Sequence, residues 1–119
     1  MSTFISLQKA IDMTTLYRKE NEEILQDQYR NKDILVRSET FEKKQIEVLL
    51  AKEGCEKLRV YYGMDESLKI HAILVPVNSN NEDMLPDAQK VGAPIPEEGI
   101  IDGGVRSPPD CPPPSELNP

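Results

Sequence analysis

The groups able to do chemistry in this 119-residue chain are few: one histidine, His71, and two cysteines, Cys55 and Cys111. A histidine works as a general base when a carboxylate orients its ring, or as a metal ligand when further donors stand at a suitable spacing. No recognisable spacing of that kind surrounds His71. It lies in an alternating apolar run, on the face shared with Lys69 and, across a hairpin, with Arg59 or Tyr61, and it reads as a half-buried strand residue. Nothing in the sequence activates Cys55, and a small cysteine just after a helix is an ordinary packing residue. Cys111-Pro112 is the two-residue signature of haem-regulatory Cys-Pro sites, in which a thiolate takes an axial position. So short a motif carries little specificity, and it leaves Cys111 as the weak candidate for binding a cofactor. Cys111 is also a redox handle, pairing with Cys55 if the tail folds back. The oxygens of Asn78 to Asp83 lack the spacing, central glycine and closing glutamate of a calcium loop, and read as a turn. Gly103-Gly104 is no phosphate loop, because no Lys-Ser/Thr follows it. No cofactor, no metal and no catalytic residue are expected.

The elements that must position these groups centre on Leu58 to Val77. Leu58, Val60 and Tyr62 alternate with Arg59 and Tyr61, and β-branched and aromatic residues suit a pleated surface. The second run puts Leu68, Ile70, Ala72 and Leu74 on one face and Lys69, His71, Ile73, Val75 and Val77 on the other. Its far end is apolar on both faces and needs cover on both. Gly63, Asp65, Glu66 and Ser67 supply a turn, so the two runs predict an antiparallel hairpin. Pro76 has no N–H to give a ladder, which places it at an edge, a bulge or the exit of the strand. A lone ribbon is marginal in water, so other elements must pack on it.

Upstream, Ser6 caps a predicted helix over Leu7 to Leu25 with Leu7, Ala10, Ile11, Thr14, Tyr17, Ile24 and Leu25 on one side. Thr14, inside that stripe, reads as a hydroxyl bonding its own backbone. Ile34-Leu35-Val36 is a candidate third strand. A second helix is predicted from Ser38 or Thr40 to Glu53, closed by Gly54. The fold class is therefore α+β: two N-terminal amphipathic helices on a small antiparallel sheet built around the hairpin. Residues 1–85 form the compact domain, and 86–119 form a Pro/Gly-rich tail packed on it or on a partner. Nine of the ten prolines fall in that tail. Leu85, Val91, Ile95, Ile100, Ile101, Val105 and Leu117 are spaced to pin it, and Gly99-Ile100-Ile101 is a candidate edge strand.

The formal charge of −7 and the lack of a basic cluster argue against nucleic acid and anionic membranes as partners. The longest apolar run, Ala72 to Val77, falls far short of the ~18 residues of a membrane span. With no leader-like start the expected compartment is the cytoplasm, with both thiols reduced.

Five runs together resemble a group of small uncharacterised bacterial proteins: Glu39-Thr40-Phe41-Glu42-Lys43; Ile46 to Ala51; Gly54-Cys55; Leu58-Arg59-Val60-Tyr61-Tyr62-Gly63; and Ile73-Leu74-Val75 with Glu82-Asp83. The resemblance covers roughly the middle third to half of the chain. The group tends to end in a Cys-Pro-Pro-like tail, to which Asp110-Cys111-Pro112-Pro113-Pro114 is similar. It implies a shared compact domain, makes the tail part of the design, and carries over no catalytic residue.

These observations lead to a small non-catalytic interaction or assembly module that binds a protein partner or itself, a homodimer included, through a sheet edge or the tail. Pro108, Pro109, Pro112, Pro113 and Pro114 offer extended polyproline geometry, and Tyr61 and Tyr62, with Tyr17, offer aromatic contacts for it. The alternative is a thiol-dependent haem, metal or redox sensor using Cys111 and Cys55.

Overall fold

The computed structural model describes residues 4–86 and 99–119. Its elements run α1 (Leu7–Glu20), β1 (Ser38–Thr40), α2 (Lys43–Leu50), β2 (Cys55–Met64), β3 (Ile70–Asn78) and β4 (Val105–Ser107), with one 3₁₀ turn at Asp27–Tyr29. Among the described residues this is an α+β chain of two helices and two small sheets, β1 with β4 and β2 with β3. Among the described residues no helix is long and apolar enough to cross a membrane. Contacts divide the chain into two compact units, Met1–Ser38 with Arg106–Pro119 and Glu39–Val105, and both boundaries fall inside the short β1–β4 pair. Val91 and Ile95, expected to pin the tail, lie outside the described residues.

In the first unit Ser6 caps α1 as its sequence predicts, its hydroxyl accepting from the Lys9 N–H at 3.0 Å. Thr14 Oγ1 donates to the carbonyls of Ala10 and Ile11, the local bonding that lets a hydroxyl sit in an apolar stripe. The helix ends at Glu20 and not at the predicted Leu25. Beyond it the Arg30 guanidinium donates to the carbonyls of Glu22, Leu25 and Glu23, giving them partners that another helical turn would otherwise supply. No residue of α1 is buried. Ile34 is buried, and Arg106, itself buried, donates to the carbonyls of Asp33 and Ile34. Ile34-Leu35-Val36 is not a strand. Strand pairing falls at Ser38–Thr40, because its partner β4 arrives there.

The second unit holds the hairpin. That same pairing removes Ser38 and Thr40 as caps of α2, which starts later, behind Glu42, and ends at Leu50 with Gly54 at φ +90° beyond it. β2 and β3 pair antiparallel, with Val60 opposite Leu74, Tyr62 opposite Ala72, Met64 opposite Ile70 and Gly63 opposite His71. A bulge between Cys55 and Lys57 sets two residues of β2 against one of β3. Leu74, Val75, Pro76 and Val77 are all buried, as a strand end apolar on both faces requires. Leu74 joins Leu49 of α2 and Ile101 in a core that Phe41 and Ile46 complete.

β3 is dressed along its outer side. The N–H of Ala72 donates to Glu39 Oε1 at 2.8 Å, Leu74 exchanges two backbone bonds with Ile101, Pro76 accepts from the Met84 N–H, and Asn78 donates to Glu82. Gly99-Ile100-Ile101 therefore contributes one bridge, at Ile101, and no regular strand. In a strand the N–H and C=O of one residue point to the same side. The missing N–H of Pro76 thus faces Met84, and the ladder with β2 loses nothing.

Candidate functional site

The hairpin loop, residues 65–69, brings together two groups that no sequence spacing connects. Asp65 Oδ2 lies 2.7 Å from His71 Nε2, while Asp65 Oδ1 accepts from the N–H groups of Ser67 (2.8 Å) and Lys69 (3.0 Å). The His71 bond, then those backbone bonds, hold the Asp65 carboxyl below its ordinary range. His71 shares its face with Arg59 and Tyr61, as expected, though neither is its direct partner. The strand resumes only at Ile70, so His71 faces Gly63. The pair lines a cleft of about 350 Å³ with Gly63, Met64, Ile73, Asp102 and Gly104. None of those residues carries a hydroxyl or thiol, and among the described residues no group of three donors is placed to hold a metal ion. The geometry accounts for the dyad as the clasp of the loop, in which Leu68 takes φ +66°.

On the same face, Arg59 donates to Asp83 Oδ1 at 2.5 Å and to Asn81 Oδ1 at 2.6 Å, and the Tyr61 hydroxyl donates to Asp83 Oδ2. Tyr61 and Arg59 hold Asp83 below the usual carboxylate range, and the carboxylate in turn raises the Tyr61 phenol. Tyr62 points to the opposite face and is 78% exposed. Consecutive strand residues alternate sides, so Tyr61 and Tyr62 do not line one groove.

The face that carries Tyr62 is the more telling one. Leu58, Val60, Tyr62 and Met64 form an unbroken apolar row, and all four are exposed. Their backbone orientation follows from β3. Because both backbone groups of Leu74 go to Ile101, its opposite number Val60 turns its own N–H and C=O away from β3, and so do Leu58, Tyr62 and Met64 by alternation. Among the described residues no strand pairs with that side of β2.

Of the remaining sequence candidates, Cys55 belongs to the second unit and Cys111 with the prolines to the first. Cys55 is half-buried, its thiol donating to the Lys57 carbonyl at 3.4 Å, and Cys111 is exposed; both are free thiols. Cys111 Sγ accepts from the hydroxyl of buried Ser107 at 2.8 Å. The run Pro108 to Pro114 is not one extended polyproline segment. A turn bends it, with Asp110 N–H donating to the Arg106 carbonyl, and Asn118 Nδ2 holds the carbonyl of Pro112. Pro109, Pro113 and Pro114 are exposed, while Pro108 and Pro112 are half-buried. Comparison with family models, with curated proteins and with solved structures finds no match to this chain.

Proposed function

We propose that this protein is a small non-catalytic protein-binding module that accepts an added strand along the free side of β2. One observation carries the reading: the two sides of the same hairpin are treated differently. The outer side of β3 is covered rung by rung by Glu39, Ile101, Met84 and Glu82, whereas β2, ten residues long, shows a ladder bare of any described strand and flanked by four exposed apolar side chains. Natural sheets blunt such a side with proline, inward charge or a covering segment. From Leu58 to Met64 nothing does so among the described residues, which suits a main-chain-driven binding mode with side-chain selectivity at alternate positions. The net charge of −7 favours a polypeptide partner over a nucleic acid or an anionic membrane. Tyr62 stands in the row itself, and Tyr61 on the reverse face. The exposed Pro109, Pro113 and Pro114 belong to the other compact unit and carry no part of this proposal.

Selection from a displayed library of random short peptides tests it. Bound peptides are expected to shift the amide resonances of Leu58, Val60, Tyr62 and Met64, and Val60→Pro, which removes an outward N–H without touching the β3 ladder, is expected to abolish binding. Peptides that bind Val60→Pro as well as wild type overturn the proposal.

A second reading, a thiol-dependent sensor, rests on the exposed, free Cys111 sulfur and the Ser107 hydroxyl that donates to it. Cys111→Ser is then expected to remove a haem Soret shift or a thiol titration signal, and a wild-type chain lacking both ends that reading.

A further inference from the structure

We infer that the added strand is β2 of a second copy, paired antiparallel about a two-fold axis at Tyr61. The inference rests on the strand-addition reading and names its occupant. Two identical strands meeting antiparallel are self-complementary only in certain registers, and the sequence of β2 separates them. With the axis at Tyr61, Leu58 meets Met64 and Val60 meets Tyr62 on the exposed face, so every member of the apolar row faces another member. On the reverse face Lys57 meets Asp65, and Arg59 meets Gly63, which has no side chain of its own.

The neighbouring registers are poorer. An axis at Val60 sets Met64 against Glu56, an axis at Tyr62 sets Leu58 against Glu66, and an axis at Arg59 sets that cation against itself. Only the Tyr61 register pairs the row with itself and places opposite charges at its ends.

Three features of the structure fit that register. The residues whose backbone groups point outward, Leu58, Val60, Tyr62 and Met64, are those the register makes hydrogen-bonded pairs, giving about eight new inter-strand bonds. Asp65 is already held on the Lys57 face by His71, and Lys57 makes no ion pair among the described residues. The bulge at Cys55/Lys57 and the loop after Met64 bound the bare stretch, so pairing has two defined ends. A symmetric dimer buries the same patch on both copies and closes on itself.

Sedimentation of the full chain over a concentration series is expected to show monomer passing to dimer, and Val60→Pro to remain monomeric. Lys57→Glu, which faces Asp65 with a like charge, is expected to weaken association several-fold without altering the fold. Register is read by cross-linking with Cys55 and Cys111 replaced by Ser: Tyr61→Cys lies at a close non-hydrogen-bonded pair and oxidises to a disulfide dimer, whereas Arg59→Cys does not. A chain monomeric at every concentration overturns the inference, and so does a dimer that Val60→Pro leaves intact or equal cross-linking of Arg59→Cys. A monomer whose β2 still captures selected peptides separates this failure from that of the strand-addition reading.

Discussion

Leu74 and Ile101 exchange both of their backbone hydrogen bonds, at 2.9 and 3.0 Å, on the side of β3 remote from β2. That exchange fixes which residues of β2 look outward, so a contact in the core decides the chemistry of a distant ladder. The proposed binding side is thus a consequence of how the opposite side is covered, and the groups doing the covering are the ones to perturb.

Glu39 is the first. Its Oε1 accepts the Ala72 N–H, an outward donor of β3 satisfied by a side chain. Glu39→Ala leaves that part-buried donor unmatched and is expected to destabilise the chain by about 1–2 kcal/mol. Glu39→Gln keeps the acceptor and is expected to lose less. Denaturant unfolding measures both, and faster hydrogen exchange at Ala72 locates the effect.

Two adjacent glycines give a paired prediction. A Cβ on Gly104 would stand 2.5 Å from Glu39 Oε2 and 2.8 Å from Phe41 Cζ, whereas one on Gly103 meets nothing within 4 Å. Gly104→Ala is expected to destabilise by about 1–3 kcal/mol through overpacking. Gly103→Ala is expected to stay within about 0.5 kcal/mol of wild type. Equal midpoints for the two variants contradict the packing.

The loop makes a prediction of opposite sign. Leu68 is 43% exposed and holds φ +66°, a conformation in which its Cβ crowds the backbone carbonyl. Leu68→Gly removes that strain, partly offset by the greater freedom of glycine in the unfolded chain. The net expectation is a stabilisation of about 0.5–1 kcal/mol, read as a raised melting temperature.

Stability is expected to fall at both ends of the pH scale for identifiable reasons. Asp65, by its His71 bond, and Asp83, by its Tyr61 bond, are held below the ordinary 3.8. Their contribution is complete above that value and is lost as pH falls through the lower folded values. The Tyr61 phenol is raised above 10.0 by Asp83, so its contribution is present below pH 10 and is lost as pH rises beyond. Asp65→Asn is expected to flatten the acid limb alone, and Asp83→Asn to flatten both limbs. Unfolding free energy measured against pH in the three proteins checks the assignment.

Much of the hairpin was legible because strand parity is local. The two faces, the buried end at Leu74–Val77, the turn at Asn78 and the Ser6 cap all follow from neighbours a few residues apart. What escaped depends on partners far along the chain. α1 stops where Arg30 supplies the alternative to another turn, and Ser38–Thr40 is extended because residues 105–107 come to meet it. Asp65 was visible as turn chemistry but not as the partner of His71, since the loop length sets that meeting. The bareness of β2 was hidden for a similar reason: periodicity marks Leu58, Val60, Tyr62 and Met64 as a face to be covered, and the core instead gathers at Leu49, Leu74 and Ile101.

Pro76 carries a final implication. With its ring nitrogen turned from β2, the hairpin forms only in a phase that keeps it there. Slipping by a single residue would swing the imino nitrogen into the shared rungs, break one, and exchange the two faces of the strand, taking Leu74 away from Leu49 and Ile101. A residue that adds no bond of its own therefore works as an alignment key, excluding the nearest misfolded neighbour of the native hairpin.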